Sequence, residues 1–560
     1  MSEKHKSGTA VSEELRRRPQ EIVADVIDSS ELGDEARQRA KKQPLIQRII
    51  KNISRGDGKF RELIVSRNFA ETRLALLVDG RMEAFEVERI GSKNYVGAIF
   101  KGRIQNLESG LRAAFVITGQ ERNAFLHYWD MLPAANDSFE IISGKQSRRE
   151  ISVEDIPKMY PVGSEIVVQV TKASIGTKGP RVTTNIAIPG RYMILTPYNG
   201  QCGISRRVGD GGERERLKKI LHSLAVPNGM GVIIRTAGSG KKLKCFVRDL
   251  SILLRRWQGV VEKMAKLHGP GLLYCEPDLV GRAVRDFLTD DVDRITVDSE
   301  EVHGEISGAV GEALPRMRSR VHLYDGIEPI FEHFKAEKQI VQIFSRRVPL
   351  PSGGEIVIEE TEALIAIDVN SGSHRCRKRD DGDYMLHVNL EAAEEIVRQM
   401  RLRNLGGLII IDFVDMVNAA DQKRLCDLMQ KMLEQDSERF QILPISPFGL
   451  MQISRQRRSQ SVDRDTRRQC PYCGGRGTVE SAQSTAVRLL AKLMVELKKA
   501  AAATEKLKRS IRIVVHGDVM EVLRQLAADQ LGEIEKDFAV DITIAADETI
   551  HRENFSIEMP

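Results

Sequence analysis

Two short apolar runs that each end in an aspartate set the strongest limit on how this chain folds. Residues 364–367 lead into Asp368, and residues 408–411 lead into Asp412. The sequence between them has helical periodicity behind a predicted N-terminal cap at Asn389. A strand, a helix and a second strand in this order predict the βαβ pattern of an α/β domain. If the two strands are parallel neighbours, both carboxylates lie at one edge of the sheet, where α/β proteins build their sites.

The side chains predicted at this edge suit a magnesium ion. Mg²⁺ favours a few carboxylate oxygens together with retained waters, and the ion can activate a water for phosphodiester cleavage. Asn370, two residues beyond Asp368, points to the same side of an extended chain and is placed to orient a substrate. An aspartate after an apolar strand is also common as a turn former or a helix cap. The spacing alone leaves both interpretations open.

A second feature is a pair of cysteines two residues apart, Cys470 and Cys473. A structural zinc needs four Cys or His ligands, so this pair is half of a site, whose other ligands would come from a second chain. The same spacing occurs in redox motifs in which the first Cys opens a helix. The glycine-rich residues 474–477 are poor helix starters and weigh against that interpretation. An ordinary turn with two thiols is the third alternative.

Length and composition limit the class of protein. A chain of 560 residues predicts about three to five domains. The apolar runs are too short to span a bilayer, and residues 1–10 lack a signal-peptide core. Seven cysteines, an odd number, argue against a disulfide framework. We therefore expect an intracellular protein, most simply a cytoplasmic one. The net charge of +6 permits an acidic partner without requiring one.

Two further segments have the composition of nucleic-acid contacts. Phe115 and Phe125 lie on successive predicted strands near several basic residues, and Lys178 lies in a basic loop, a pattern typical of oligonucleotide-binding barrels. Phenylalanine in a strand is more often part of the core than of a binding surface, so the pattern alone leaves both interpretations open. Arg235 and Thr236 follow a short strand and enter a glycine-rich loop, a combination that can bind a terminal phosphate. Alone, that pattern is more typical of an ordinary strand-to-turn junction.

Taken together, six motifs in one order resemble the ribonuclease E/G family, over the chain from about Leu63 onward. The motifs are Gly102-Arg103 to Phe125, Ile204-Ser205-Arg206-Arg207, Arg235-Thr236-Ala237-Gly238, Ala366-Ile367-Asp368-Val369-Asn370-Ser371, Gly406-Gly407 to Asp412-Phe413-Val414-Asp415-Met416, and Cys470-Pro471-Tyr472-Cys473. The resemblance implies a multidomain α+β protein. Residues 1–60 lie outside the resemblance, and their mixed charges with few apolar residues predict a disordered or loosely helical N-terminal arm. The parts that the resemblance implies are an RNase H-like part in two segments (61–93 and 281–343), an S1 RNA-binding barrel (94–186), a 5′-sensor region (187–280), a DNase I-like catalytic domain (344–466), a zinc link (467–480) and a small oligomerisation domain (481–560).

The resemblance also implies an activity. Members of the family are Mg²⁺-dependent endoribonucleases that cut single-stranded, AU-rich RNA, prefer a 5′-monophosphate end and leave a 5′-phosphate product. The implied roles are processing of rRNA and tRNA and decay of mRNA. The residues that match family positions are Asp368 and Asp412 for Mg²⁺ with Asn370 beside them, Phe115, Phe125, Lys178 and Arg439 for RNA, and Arg235 and Thr236 for the 5′-phosphate.

The resemblance further implies an assembly. Cys470 and Cys473 match a zinc link in which two chains share one Zn²⁺, and a dimer of such dimers would form through the small domain. The apolar stripe of Val487, Leu490, Met494 and Leu497 suits a helix that packs in the core or on a partner chain. We expect no degradosome-recruiting tail, because the chain ends soon after the small domain, which favours the compact, ribonuclease G-like form.

One alternative function stays open at this point. A non-catalytic RNA-binding or ribosome-assembly factor could keep the same scaffold without the chemistry. Asp368, Asn370 and Asp412 are all present, which favours the enzyme. A polar insertion, residues 134–154, lies in the predicted barrel and puts the RNA path there in doubt.

Overall fold

The computed structural model describes residues 29–41, 59–89, 91, 95–132, 139–143, 153–174, 178–288, 291–372, 381–416, 418–436, 438–456, 461–462, 467–502 and 510–558. The described residues fall into two compact units, one within residues 1–465 and the other within residues 466–560. Most of the predicted N-terminal arm, the loop around Cys376 and much of the arginine-rich segment before the cysteine pair lie outside the described residues.

Most of the strands belong to the first unit. In chain order they are β1 (Arg61–Arg67), β2 (Glu71–Val78), β3 (Arg81–Arg89), β4 (Ile99–Glu108), β5 (Ala113–Ile117), β6 (Ala124–His127), β7 (Phe139–Ser143), β8 (Glu165–Lys172), β9 (Arg181–Thr183), β10 (Ile188–Pro189), β11 (Met193–Thr196), β12 (Cys202–Ser205), β13 (Gly231–Ile234), β14 (Gly271–Tyr274), β15 (Arg294–Val297), β16 (Val321–Leu323), β17 (Arg347–Pro349), β18 (Glu355–Glu360), β19 (Leu364–Asn370), β20 (Gly407–Asp412), β21 (Phe440–Leu443) and β22 (Leu450–Arg455). The second unit adds β23 (Ser510–Val515), β24 (Asp541–Ala546) and β25 (Phe555–Glu558).

The α-helices are distributed over both units. The first unit contains α1 (Ser29–Lys41), α2 (Ile156–Met159), α3 (Gly211–Ser223), α4 (Leu243–Lys266), α5 (Leu279–Asp286), α6 (Glu300–Ala313), α7 (Ile330–His333), α8 (Ala336–Phe344), α9 (Asp381–Leu402) and α10 (Ala419–Leu433). The second unit contains α11 (Ala482–Ala502), α12 (Gly517–Leu526) and α13 (Ala528–Phe538). Within the described part of the chain, no helix combines the length and apolar character needed to cross a membrane.

The first sheet has the strand order β16-β15-β1-β2-β3. Strands β1, β2 and β3 are antiparallel, and β15 and β16 continue the sheet in parallel with β1. Side chains of β1 alternate between two cores: Leu63 and Val65 pack with α5 and α6, and Ile64 packs with α7 and α8. Because both faces are covered, the apolar run 63–65 in the middle of β1 is fully buried on both sides of the sheet.

A closed barrel follows the first three strands. Strands β4, β5, β6, β9 and β8 pair in turn, and β8 pairs back onto β4, which closes five strands into a barrel of the oligonucleotide-binding kind. Small and branched side chains such as Ala114, Val116 and Val168 fill its interior. Strand β7, which lies within the predicted polar insertion, pairs instead with β12 in the next sheet.

The third sheet, β10-β11-β13-β12-β7, packs on α3 and α4. The sequence predicts α4 from Leu250, and the helix begins seven residues earlier, at Leu243. Phe246, fully buried, lies in this additional N-terminal part. Packing against the sheet therefore extends the helix past its predicted start.

The fourth sheet, β17-β18-β19-β20-β22-β21, carries the two aspartate-ending runs. Strands β19 and β20 are parallel and adjacent, and α9 connects them, which is the expected βαβ unit. On both strands alternate residues are buried beneath α9 and α10, including Ile365, Ile367, Ile409 and Ile411. The intervening residues therefore face away from the core.

The predicted helix cap at Asn389 is wrong. Helix α9 begins at Asp381, so Asn389 lies in its interior, where it is fully buried. Its side chain donates from Nδ2 to the carbonyl oxygen of Val414 at 2.8 Å and accepts from the Val414 N–H at 3.0 Å. A buried amide needs partners, and here the backbone beyond β20 supplies both. Asn389 thus fixes the segment that follows Asp412.

Helix α1 lies in the N-terminal arm, where the sequence predicts a disordered or loosely helical segment, and its apolar residues pack on the rest of the first unit. Leu32 and Ala36 are buried, and the Leu32 carbonyl packs directly on Gly80, where a Cβ would approach it to 2.6 Å. Gly80 has a φ of 80° in the tight turn between β2 and β3, so glycine is required there for both reasons.

In the second unit, α11, α12 and α13 surround a three-stranded sheet of order β24-β23-β25. The predicted apolar stripe on α11 is shifted in part. The buried face consists of Ala486, Leu489, Leu493 and Leu497, whereas Val487 is 68% exposed. The helix contains two overlapping apolar spacings, and packing on β23 selects one of them.

Candidate functional site

The two aspartates lie side by side at one edge of the fourth sheet. Asp368 of β19 and Asp412 of β20 are direct partners across the parallel pair. Both side chains lie on the face away from the helical core, and both are exposed. Parallel strands bring residues at equal register to the same level of a sheet, so the two carboxylates share one small area of surface.

Asn370 joins this pair. It lies two residues beyond Asp368 on the same face, and its Nδ2 donates to Asp368 Oδ2 at 2.9 Å. The amide therefore restrains the rotamer of the aspartate, and Asn370 itself is exposed on the same face. We refer to Asp368 and Asp412 together as the carboxylate pair, beside which Asn370 lies.

Negative charges lie close together at the carboxylate pair and affect the pKa of Asp412. The pKa of Asp412 is raised, first by partial loss of hydration at the carboxyl and then by the negative charges of Asp368 and Asp415. Like charges held close together disfavour the ionised form of each other. A cation bound between them would remove this repulsion.

These residues fit Mg²⁺ in donor type and number. Mg²⁺ binds through one or two carboxylates and keeps several waters, so it does not need a full cage of protein ligands. Among the residues that the structure describes, no group of three or more His, Cys, Asp or Glu side chains is arranged to hold a metal. An exposed two-carboxylate site open to water and to a phosphate is consistent with that observation.

The barrel places its two predicted RNA-binding phenylalanines together. Phe115 and Phe125 are cross-strand partners on β5 and β6, with ring centroids 5.9 Å apart in an edge-to-face arrangement. Both are half-buried. Lys178 is exposed shortly before β9, next to the segment where Pro180 accepts the N–H of Phe125 at 2.8 Å. An aromatic pair beside a cation is a suitable stacking surface for a single strand.

Arg235 is held along one side of its guanidinium. Its Nη1 donates to the Gly190 carbonyl oxygen at 2.6 Å and to Asp286 Oδ1 at 3.2 Å. Its Nε and Nη2 make no hydrogen bond to any residue within the described ranges. Arginine binds phosphate through two parallel N–H groups, and this side chain presents two that are unused.

Asp286 is a site residue that the sequence analysis missed. Burial alone would raise the pKa of Asp286, but the bonded guanidinium of Arg285 and that of Arg235 hold it below its ordinary value. Arg285 in turn donates to Glu276 at 2.5 Å. Asp286 lies 51 residues from Arg235 in the chain, so no local pattern could have indicated it.

Two side chains of α3 hold the loop after Arg235 in place through hydrogen bonds to its backbone. Thr236 is exposed and begins a short 3₁₀ turn that ends at Gly238. Glu213 accepts the N–H of Gly240 at 2.8 Å, and Arg216 donates to the Lys241 carbonyl oxygen at 2.8 Å. The hydrogen bond from Arg216, opposed by partial burial and aided by Gly240, lowers the pKa of Glu213 to about 2. Arg235 and Thr236 therefore stand on a fixed loop.

Arg439 is not brought to the carboxylate pair. It immediately precedes β21, whose first residue pairs with Arg455 at the far end of β22. Asp412 pairs with Leu450 at the near end of β22, so about five strand residues, or roughly 17 Å, separate the two levels. An RNA contact by Arg439 would therefore lie away from the aspartates.

The cysteine pair lies on a loop of the second unit. The N–H of Gly477 donates to Cys473 Sγ at 3.3 Å and lowers the pKa of that thiol, which favours the thiolate that metals bind. His551 donates to the Tyr472 carbonyl oxygen at 2.5 Å and packs its ring 4.2 Å from that of Tyr472. Turns and irregular chain follow the cysteine pair over residues 474–481, and α11 begins only at Ala482, which removes the structural basis of the redox interpretation. One chain supplies two thiols, half of what Zn²⁺ requires.

Comparison with known proteins matches the chain in two parts. The family described as "Ribonuclease E/G family" matches residues 187–458, and the one described as "RNase E/G, Thioredoxin-like domain" matches residues 469–560. Ribonuclease G of Escherichia coli (strain K12) is 34% identical over 500 residues, which is 89% of this chain and 99% of that protein.

Two ribonucleases E are also similar. That of Haemophilus influenzae is 37% identical over 498 residues, or 89% of this chain, and that of Escherichia coli (strain K12) is 39% identical over 434 residues, or 77% of this chain. The matches span 52% and 40% of those two proteins, so the chain covers about half of their length or less.

A closed barrel, a sheet edge with two exposed carboxylates and these matches define a class of protein, the ribonucleases. The chain belongs to the ribonuclease E/G family. Membership confirms the resemblance seen in the six motifs, and it confirms the prediction that the chain is an endoribonuclease.

Proposed function

We propose that this protein is a Mg²⁺-dependent endoribonuclease that cuts single-stranded, AU-rich RNA, is stimulated by a 5′-monophosphate and leaves a 5′-phosphate product. The observation that carries the proposal is the direct pairing of Asp368 with Asp412 on the exposed face of parallel strands. Roles in rRNA and tRNA processing and in mRNA decay in the cytoplasm follow from the family resemblance and belong to the same proposal.

Each group of residues has a separate task in this proposal. Asp368 and Asp412 would hold Mg²⁺, which when bound supplies charge neutralisation at the phosphate and a more acidic water. Asn370 keeps Asp368 in place through its hydrogen bond and would orient the substrate through its amide. Phe115, Phe125 and Lys178 bind the strand, and Arg235 with Thr236 binds the terminal phosphate.

Assembly is the second part of the proposal. Cys470 and Cys473 would share one Zn²⁺ with the same two residues of a second copy, and two such dimers would form a homotetramer through the small domain. The support is that one chain offers two thiols on an exposed loop, with the Cys473 thiol biased towards thiolate. Isologous contacts of this kind close naturally into dimers.

Cleavage of a short unstructured AU-rich RNA bearing a 5′-monophosphate tests the catalytic site. Wild type should cut it with Mg²⁺ and not after chelation, and Asp412→Asn should lose at least about a thousandfold in kcat/KM. Asp427→Asn, the same substitution at an exposed position on α10, is the matched control and should cut like wild type. Equal cleavage by wild type and Asp412→Asn would overturn the proposal.

The end preference has its own test. Replacing the 5′-monophosphate by a triphosphate or a hydroxyl should slow wild type, and Arg235→Ala should cut all three RNAs at the slower rate. An Arg235→Ala protein that still discriminates between the ends would remove Arg235 from the sensor while leaving the cleavage site intact.

A further inference from the structure

Phe448 is an exposed aromatic side chain at the edge of the catalytic sheet. It lies in the tight turn between β21 and β22, and 88% of its surface is accessible. Single exposed apolar residues are ordinary on protein surfaces. Phe448 differs from such residues in two ways: its turn is rigid, and it lies next to the carboxylate pair.

The turn that carries Phe448 is held firmly. The Gly449 N–H donates to the Ser446 carbonyl oxygen at 2.9 Å, and the Ser446 N–H donates to the Leu450 carbonyl oxygen at 2.9 Å. Pro447, the second residue of the turn, fixes its own φ. Gly449 has a φ of 82°, which suits the glycine at that position. The backbone therefore holds the phenyl ring outward and does not let it fold onto the core.

This turn adjoins the carboxylate pair. Leu450, two residues beyond Phe448, is the direct antiparallel partner of Asp412, so the Phe448 backbone lies within about 7 Å of that level along the strand. Asp415, on the segment that follows β20, has Oδ1 4.0 Å from the point that a Cβ on Gly449 would occupy. The aromatic ring and the two aspartates thus belong to one open surface.

We propose that Phe448 stacks on an unpaired base of the RNA beside the phosphate that is cut. The inference rests on the proposed cleavage site at Asp368 and Asp412. Every base has a π-face that can stack on a phenyl ring, so the contact would be tolerant of sequence. A base within a duplex has both faces covered by its neighbours, so the same contact would favour single-stranded substrate. Stacking there would hold the adjacent phosphodiester over the carboxylate pair.

Abasic substitution in the RNA tests this proposal with the full chain. The substrate is a short unstructured RNA with a 5′-hydroxyl and one cut site, in which single nucleotides flanking the cut are made abasic. At one of these positions wild type should lose about 5- to 150-fold in kcat/KM. Phe448→Ala should lose a similar factor on the intact RNA, and the abasic change should then cost it about twofold or less.

Three further variants separate stacking from a structural effect. Phe448→Trp should keep most of the wild-type rate, whereas Phe448→Leu, apolar but not aromatic, should resemble Phe448→Ala. Phe69→Ala removes an equally exposed phenyl ring, 96% accessible in the turn between β1 and β2 of another sheet. This matched control should cut like wild type.

The outcomes distinguish this inference from the proposed function beneath it. If wild type cuts, Asp412→Asn does not, and Phe448→Ala cuts like wild type, only the role of Phe448 is overturned. Independent, multiplicative losses from Phe448→Ala and from every abasic position would overturn it as well, because no base would then depend on the ring. Equal cutting by wild type and Asp412→Asn would instead reject the cleavage site.

Discussion

Asp286 Oδ1 lies 3.2 Å from Arg235 Nη1, although 51 residues separate the two in the chain. Together with the Gly190 carbonyl oxygen, this carboxylate occupies one nitrogen of the guanidinium and leaves the other two for a ligand. Asp286 is itself fixed by Arg285, whose Nε and Nη2 donate to Oδ2 at 3.1 and 2.9 Å. The predicted phosphate-binding arginine therefore has a built support behind it.

Removing that support should weaken the sensing of the 5′ end. In Asp286→Ala the guanidinium of Arg235 loses its fixed orientation, so the preference for 5′-monophosphate over 5′-hydroxyl RNA should fall by about tenfold or more. Cleavage of the 5′-hydroxyl RNA should stay at the wild-type rate. Glu312→Ala, which breaks an exposed pair with Arg255, is the control. A rise in the preference would show that Asp286 competes with the phosphate.

The repulsion within the carboxylate pair should destabilise the folded protein slightly when no cation is bound. Partial loss of hydration, and then the charges of Asp368 and Asp415, raise the pKa of Asp412. Asp412→Asn should therefore increase the free energy of unfolding without Mg²⁺, by about 1 kcal/mol or less since the groups are exposed, and so raise the unfolding temperature slightly. Added Mg²⁺ should stabilise wild type but not this variant. A thermal unfolding series with and without the ion measures both effects.

The control for that series is again Asp427→Asn, which should keep the stabilisation by Mg²⁺. A clear drop in the unfolding temperature of Asp412→Asn would mean that Asp412 supports the fold instead of binding the ion.

Helix α1 should contribute stability through one buried ion pair. Arg39 Nε donates to Glu62 Oε2 at 2.9 Å, and its guanidinium lies 4.9 Å from the centre of the Phe334 ring. Glu62 is fully buried. Arg39→Ala would leave that carboxylate without its arginine, so we expect a loss of about 3–5 kcal/mol in the free energy of unfolding near neutral pH.

The loss should shrink in acid. Burial raises the pKa of Glu62 above 4.5 even though Arg39 opposes the change. The folded protein therefore binds this proton more tightly than the unfolded chain, and Glu62 weakens the fold as the pH rises from 4.5 through its folded-state pKa. Without Arg39 that pKa rises further, so protonation relieves the variant more than wild type.

Denaturant unfolding at about pH 8 and about pH 5 measures the pH effect. Arg37→Ala, on the same helix but in an exposed pair with Asp34, should change stability by about 0.5 kcal/mol or less. A pH-independent loss in Arg39→Ala would contradict the role given to Glu62.

Zinc content should distinguish a shared site from an internal one. If two chains share one ion, the purified protein should hold about half a zinc per chain, and Cys470→Ser should lose the zinc together with the dimer. His551→Ala should keep its zinc, because His551 supports the loop through Tyr472 and is not a ligand in this proposal. One zinc per chain, or loss of zinc in His551→Ala, would point to a site completed within one chain.

The sequence predicted those parts of the site that depend on local periodicity. Two apolar runs that each end in an aspartate predicted Asp368 and Asp412 at one sheet edge, where the structure pairs them. The alternation of side chains along a strand put Asn370 on the same side as Asp368. The same regularity put Phe115 and Phe125 on neighbouring strands, where the structure pairs them. In these cases the residue types and their short-range spacing were sufficient for the prediction.

Predictions went wrong where a residue has two plausible local roles. Asn389 has the type of a helix cap, but its amide is buried against Val414, 25 residues away. Val487 fits an apolar stripe, yet the neighbouring spacing through Leu489 and Leu493 is the one that packs. The local pattern indicates that a residue is suited to cap a helix or to be buried. Its packing partners in the folded protein decide which role it takes.

What the sequence determined by itself is therefore the family, the βαβ unit and the residues at its edge, because each depends on residue types in a short order. The tertiary structure decided how those residues are supported. It brought Asp286 to Arg235, Arg39 to Glu62 and the Phe448 turn to Asp412. Each of these contacts joins segments that are far apart in the chain and that are brought together by the packing of sheets and helices. The residues next to each partner in the sequence do not indicate the contact.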